Sequence, residues 1–186
     1  MLGNNDRMEV VEKFCYLGDV IGKGGGAEES SIARVRCAWG KFMDLKMLLT
    51  ARGASLRVKG KIYRACVQRV LVYGSETWAM KKVDLQGLLR TENNMVRWMS
   101  GVILKDRRTS EELKQGLGIE SVNRVVSRGR LRWYGHVKRK NVDDWVSKCR
   151  KLEVAGGIRK DRGKKTWIEC VKTDMQNIGL KKRCAE

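Results

Sequence analysis

The 186-residue chain contains no proline, and this absence limits the folds open to it more than any other feature. Proline interrupts helices because it lacks a backbone N–H and because its ring clashes with the preceding turn. Without it, long helices can run unbroken, and all-β and collagen-like classes are disfavoured. The apolar fraction of 42% supplies a packed core and argues against wholesale disorder. The length suits one ordinary domain or two small ones.

Helical periodicity begins near residue 27 and recurs along most of the chain. The segment 10–21 is instead rich in β-forming residues and ends at the glycines of 22–26, which predicts a strand or hairpin and a flexible hinge. We predict helices over residues 27–49, 55–79, 84–101, 109–116, 121–140, 143–150 and 167–178, with a loop or short hairpin over 152–165. The predicted class is mainly α, a helical bundle with a short N-terminal β-hairpin and a basic helical C-terminal tail.

Some of these helices have recognisable ends. Ser55 and Asp84 are predicted to cap the second and third helices, and Gly101 is predicted to end the third. The second helix is the most apolar, so we expect it to be the most buried. Tyr73 and Trp78 lie at its predicted end, and we expect both to pack in the core.

The net charge of +19 is unevenly distributed. Residues 1–50 carry 7 basic and 7 acidic side chains, so the whole excess lies after residue 50. A polyanion is the partner that this distribution favours, because lysines and arginines that meet phosphates release counterions. A basic protein without a nucleic-acid partner is the alternative. An anionic membrane is disfavoured because no helix pairs a basic face with a wide apolar face that is free of core packing.

The helix predicted over 121–140 is the strongest candidate for nucleic-acid binding. At about 100° per residue, four arginines fall within an arc of roughly 80°, and we call them the arginine ridge: Arg124, Arg128, Arg132 and Arg139. The opposite side carries Val122, Val126, Gly129, Trp133 and Val137, which predicts that it packs inward. Lys138 and Lys140 add charge at the C-terminal end. A solvated charged face is the alternative interpretation.

Several kinds of catalytic or metal site are disfavoured. The six cysteines form no Cys-x-x-Cys pair and His136 is the sole histidine, so we predict no metal site and no catalytic residue. His136 is expected to pack beside Trp133. Asp143 and Asp144 are expected to begin a helix, because a polymerase metal pair follows an aromatic residue in a tight hairpin. The glycines of 22–26 lack the ending of a phosphate-binding loop.

Location is predicted from what the sequence lacks. Without a signal peptide, we expect an intracellular, reducing compartment, either nucleus or cytoplasm. No apolar run approaches about 20 residues, so we expect no membrane span. The basic cluster at residues 159–165 has the composition of a nuclear-import or phosphate-binding patch. The sequence does not predict an oligomeric state.

Three motifs resemble, in order and spacing, the C-terminal part of the reverse transcriptases of non-LTR, LINE-class (jockey- or RTE-like) retrotransposons. They are Phe14-Cys15-Tyr16-Leu17-Gly18-Asp19, Tyr73-Gly74-Ser75-Glu76-Thr77-Trp78 and Arg132-Trp133-Tyr134-Gly135-His136-Val137. The resemblance implies a primer-grip-like hairpin that includes Phe14, Tyr16, Leu17 and Gly18. It also implies a thumb-like helical region, and RNA, DNA or an RNA–DNA hybrid as partner. The implied divisions are 1–26 for hairpin and hinge, 27–101 for the thumb-like region and 102–186 for the basic helical region.

The catalytic carboxylates of that family, which bind Mg²⁺, should precede Phe14 and are absent from this sequence. We therefore expect a fragment of an RNA-directed DNA polymerase that is inactive alone, needs no cofactor itself and retains sequence-tolerant nucleic-acid binding. Two alternatives stay open. The chain is an incomplete gene model of an active reverse transcriptase, or it is a non-functional relic.

Overall fold

A two-stranded antiparallel hairpin lies at the N-terminal end of the described chain. The computed structural model describes residues 11–16, 19–22, 27–151 and 165–179, without the side chains of residues 150 and 151. Strand β1 (Lys13–Tyr16) pairs with β2 (Asp19–Gly22), and Phe14 lies opposite Ile21. Ser30 fastens the hairpin to the first helix, because its hydroxyl donates to the Asp19 carboxylate and accepts from the Val20 backbone N–H at 3.1 Å.

Helices make up most of the remaining described chain, which confirms the predicted class. The first five are α1 (Glu28–Asp44), α2 (Lys46–Leu49), α3 (Leu56–Ile62), α4 (Arg69–Leu71) and α5 (Lys82–Ser100), with a π-helical segment (Tyr63–Gln68) joining α3 to α4. A 3₁₀ turn (Leu104–Asp106) precedes α6 (Ser110–Leu117), α7 (Val122–Lys138), α8 (Trp145–Lys151) and α9 (Trp167–Asn177). Among the described residues, no helix is long and apolar enough to cross a membrane.

The main core lies between α1, α5 and the continuous run from α3 through the π-helical segment to α4. Helix α6 packs on both α3 and α5, and α7 packs on α5. The fully enclosed side chains of the core include Phe42, Leu49, Tyr63, Val67, Leu71, Leu88, Met95, Met99 and Leu117. These residues recur at helical spacing, so each helix contributes one apolar stripe to a common interior.

A buried polar network around Glu92 of α5 joins α5, α6, α7 and the π-helical segment. The carboxylate of Glu92 pairs with the ammonium of Lys114 at 3.0 Å and accepts the Val122 backbone N–H at 3.0 Å. The Gln68 side chain donates to Glu92 at 3.0 Å and to the Glu120 carbonyl oxygen at 2.7 Å. Because Val122 is the first residue of α7, a carboxylate from α5 satisfies a free N–H at the start of that helix. The network therefore fixes where α7 begins.

Helices α3 and α6 cross at unusually short range. A Cβ built at Gly60 would lie 1.8 Å from the carbonyl oxygen of Leu117, so only glycine fits at this crossing. The next residue after Leu117 is Gly118, whose φ of +66° ends α6 in the left-handed conformation that glycine adopts without strain.

The second predicted helix ends earlier than its sequence indicates. It stops at Leu71 rather than near residue 79, and residues 72–77 form successive turns with Gly74 at a φ of +78°. Tyr73 therefore lies outside the helix and is 57% exposed, so the prediction that it packs in the core is wrong. Trp78 is buried as predicted.

The ends of the other helices follow local signals. The Ser55 hydroxyl accepts the Val58 N–H, and Gly101 ends α5 with a φ of +65°, as predicted. Asp84 instead lies in the first turn of α5, where its carboxylate accepts the Lys81 backbone N–H at 2.9 Å. It therefore stabilises the start of α5 from within the helix rather than preceding it.

Some predictions fall outside the described residues. These are Leu17 and Gly18 of the primer-grip-like motif, most of the glycine hinge, and the loop and basic cluster between residues 152 and 164. The division into regions 1–26, 27–101 and 102–186 stays a prediction. The contacts that Glu92 forms with Lys114 and Val122 cross its boundary at residue 101.

Candidate nucleic-acid interface

Helix α7 has one face that packs inward. Val122 and Val126 are buried in the main core, and Val137 is buried nearer the C-terminal end. A second contact comes from α9, whose Asp174 accepts the Arg130 guanidinium at 2.6 Å and the Ser127 hydroxyl at 2.8 Å. Both Arg130 and Asp174 are buried, so this ion pair holds α9 against α7 and fixes the rotation of α7 about its axis.

The arginine ridge occupies the face that these contacts leave uncovered. All four of its arginines are exposed. At 1.5 Å per residue, the ridge extends over about 22 Å from Arg124 to Arg139. Arg128 pairs with Glu120 at 2.7 Å. In the described part of the chain, Arg124, Arg132 and Arg139 form no ion pair, so three of the four guanidiniums are available to an external anion.

The C-terminal end of α7 brings further basic groups to the ridge. A Cβ built at Gly135 would lie 3.2 Å from a guanidinium nitrogen of Arg139, so this glycine makes room for Arg139 to lie along the helix. Lys138 is exposed, and its ammonium lies 6.0 Å from the centre of the Tyr134 ring. Lys140 is half-buried and contacts the Asp144 carboxylate at 3.3 Å, so part of its charge is balanced internally.

Asp144 has a structural role at the start of α8. Its carboxylate accepts the Val146 backbone N–H at 2.9 Å. That hydrogen bond, together with the Lys140 ammonium, lowers the pKa of the Asp144 carboxyl below its ordinary value. This agrees with the prediction that Asp143 and Asp144 begin a helix. No cluster of three or more histidine, cysteine or acidic side chains that could hold a metal occurs among the described residues.

Trp133 does not lie where the helical pattern placed it. It was expected on the inward face, but it is 37% exposed, and its ring stacks on that of the exposed His136 with centroids 5.4 Å apart. The predicted neighbourhood of the two residues is therefore confirmed, but their burial is not. The reason is that the helices covering the inward face of α7 leave the surface around Trp133 partly open.

Helix α9 packs against the Tyr73–Trp78 motif and the residues just after it. The Trp167 indole N–H donates to the Glu76 carbonyl oxygen at 2.7 Å, and the Cys170 thiol donates to the Met80 carbonyl oxygen at 3.5 Å. Neither this docking of α9 nor the Arg130–Asp174 pair could be predicted from the sequence. One feature of the sequence does indicate a different role for Arg130: it lies outside the arc of the arginine ridge.

The hairpin residues of the primer-grip-like motif stand at the surface. Phe14 and Tyr16 are both more than half exposed, and their ring centroids lie 6.4 Å apart. Tyr16 also lines an open cavity of about 340 Å³ between the hairpin and the turn that contains Tyr73. The structure thus places the first two motifs side by side. Whether Phe14 and Tyr16 contact a primer strand stays a prediction, as does the role of the arginine ridge.

Helix α3 and the start of the π-helical segment present a second, shorter row of exposed basic side chains. Arg57, Lys61 and Arg64 recur at intervals of four and three residues, and all three are exposed. This row lies on a different helix from the arginine ridge. It is therefore an alternative binding surface with which the ridge can be compared.

Comparison with known proteins gives one informative similarity. The chain is 24% identical over 145 residues to a putative uncharacterized transposon-derived protein of Caenorhabditis elegans. The match covers 76% of this chain and 52% of that protein, so the chain spans about half the length of the curated relative. No family model matches the chain, and no solved structure matches it. The similarity supports a relationship with transposon-derived proteins.

Proposed function

We propose that the chain is a part of a retrotransposon reverse transcriptase that follows the catalytic residues and binds the backbone of RNA, DNA or their hybrid. Binding is assigned to the arginine ridge, with Lys138 and Lys140 as secondary contacts. The chain acts in the nucleus or cytoplasm, where such a template is present. Its contribution is the binding and positioning of the nucleic acid.

The observation that carries the proposal is the division of α7 into two faces. One face is held by the core, by Glu92 and by the buried Arg130–Asp174 pair. The other presents four exposed arginines over about 22 Å. Because α7 is fixed on its inner side, the guanidiniums are presented by a rigid element, and less entropy is lost when they bind phosphate. Arginine also contacts phosphate with two parallel N–H donors, which lysine cannot do.

The retrotransposon assignment rests on three agreeing features. The motifs occur in the order found in that family, the relative is transposon-derived, and the first motif forms a hairpin as a primer-grip-like segment should. The excess of positive charge lies after residue 50, in the part that would meet a nucleic acid. A transcript sequenced upstream of Met1 tests this assignment. An in-frame motif of an aromatic residue, any residue and two aspartates would support it, and an unrelated upstream domain would contradict it.

A charge-reversal experiment tests the binding assignment. Changing the four ridge arginines to glutamate should abolish binding to a fluorescein-labelled 20-nucleotide strand in a fluorescence anisotropy titration. The matched control makes the same change of net charge at four exposed basic residues elsewhere, Arg52, Lys82, Arg90 and Lys105. We expect this control to retain most of the affinity. If the ridge variant binds as tightly as the control, the ridge is not the binding surface.

A further inference from the structure

An exposed pair of stacked rings borders the C-terminal half of the arginine ridge. The indole of Trp133 and the imidazole of His136 lie 5.4 Å apart between centroids, with 29° between their planes. Trp133 is 37% exposed, and His136 is exposed as well. A tryptophan that packs on a neighbouring ring and still faces solvent keeps a fixed orientation while it presents apolar surface to a ligand.

The pair adjoins the ridge in angular position around α7. Successive positions around the helix, at about 100° per residue, place Arg139, Arg132, His136 and Trp133 in that order over an arc of about 120°. Arg132 and His136 are one turn apart, so a charged group and an aromatic surface adjoin. Both phosphate-binding and ring-stacking groups are thus presented by the same two turns of one helix.

We propose that the Trp133–His136 pair stacks on an unpaired base, and that Arg132 and Arg139 hold the phosphates next to it. This inference rests on the proposed function and adds to its phosphate contacts a contact with an unpaired base at this end of the ridge. In a duplex the faces of the bases are covered by their neighbours, whereas a single strand can offer a base face to a protein ring. Proteins that bind single strands without sequence preference combine a basic groove with such aromatic surfaces.

The test compares two oligonucleotides that carry the same phosphates. One is a strand of 12 thymidines, and the other has the same length and phosphates but an abasic sugar at every position. We expect the wild-type chain to bind the thymidine strand roughly 5- to 150-fold more tightly, the range that a base–aromatic contact produces. This comparison needs no variant and therefore does not depend on how a mutant folds.

Variants then locate the contact. Trp133→Ala should bind both strands with the affinity that the wild type shows for the abasic strand, and Trp133→Phe should restore most of the difference. Trp145→Ala is the matched control, because Trp145 is 79% exposed on α8 with the Lys148 ammonium 5.7 Å from its ring, but it is not stacked on another aromatic ring in the described chain. Thermal unfolding of each variant shows whether α7 keeps its packing.

The outcomes separate this inference from the function on which it rests. Equal wild-type binding to the two strands overturns base stacking and leaves phosphate binding by the ridge intact. Absence of binding to either strand overturns both proposals. A loss in Trp145→Ala as large as that in Trp133→Ala overturns the assignment to the Trp133–His136 pair.

Discussion

Replacing the four ridge arginines with glutamine removes their charge while keeping long polar side chains on α7. Each phosphate contact contributes about −0.9 to the slope of log K against log salt concentration on B-DNA. Four lost contacts should therefore make the slope shallower by about 3.6. The Glu120 carboxylate lies 2.7 Å from Arg128. If it keeps Arg128 from the DNA, the wild type makes only three of these phosphate contacts, and the substitutions make the slope shallower by about 2.7.

These slopes convert into a measurable difference. Between 50 and 200 mM salt, the wild type should lose about 40- to 150-fold more affinity than the glutamine variant. Fluorescence anisotropy titrations of a 20-base-pair duplex at five salt concentrations give both slopes. The reasoning is refuted if the slopes agree within about 0.5, because the ridge would then contact no phosphates.

Three further predictions follow from particular contacts. Glu120→Gln releases Arg128 and should tighten binding by up to about fivefold in the same titrations; weaker binding would contradict this. Gly60→Ala should lower the free energy of unfolding, measured in urea, by about 2–3 kcal/mol, because the new Cβ would meet the carbonyl oxygen of Leu117. Gly40→Ala is the control: it has open space around it and should raise the free energy of unfolding by about 0.5–1 kcal/mol. Equal effects of the two substitutions would contradict the close crossing of α3 and α6. Burial, with a smaller contribution from a nearby carboxylate, raises the pKa of Tyr63 well above its ordinary value. The contribution of the neutral Tyr63 side chain to the stability of the fold is therefore complete below pH about 10, and it falls at higher pH because the phenol ionises in the unfolded chain first. Tyr63→Phe should leave stability at pH 7 within about 1 kcal/mol and weaken the decline between pH 10 and 11.5; an unchanged decline would contradict this.

Local features of the fold could be predicted because their causes are local. Ser55 caps α3 as predicted, because its hydroxyl accepts the backbone N–H of Val58 three residues ahead. Gly101 ends α5 because it adopts a positive φ. The end of α4 was misjudged for the opposite reason. Apolar residues continue past Leu71, and their spacing does not reveal that the chain turns before Tyr73.

Long-range polar contacts could not be predicted from the sequence. Glu92 meets Lys114 across 22 positions, and Arg130 meets Asp174 across 44. The sequence contains 21 acidic residues, and nothing in its periodicity distinguishes these two from the solvated majority. Which carboxylate becomes buried depends on how the helices cross, and close crossings depend in turn on positions such as Gly60.

The candidate interface was predicted in part. Helical geometry identified the arc of the four ridge arginines, and all four are exposed. The same geometry placed Trp133 inward, because a helical pattern gives the direction of a side chain but not the extent of the neighbouring helix. Helices α5 and α9 pack on α7 but leave Trp133 partly open. The stacked pair with His136 is therefore visible only in the structure.

Residue-resolved protection of arginines from phenylglyoxal tests the central claim most directly. The chain is modified with and without a saturating 20-nucleotide strand, and the modified peptides are quantified by mass spectrometry. We predict that Arg124, Arg132 and Arg139 become protected while Arg52 stays reactive. If these three ridge arginines stay reactive while the exposed Arg57 of α3 and Arg64 of the π-helical segment become protected, nucleic acid binds elsewhere and the account of α7 is wrong.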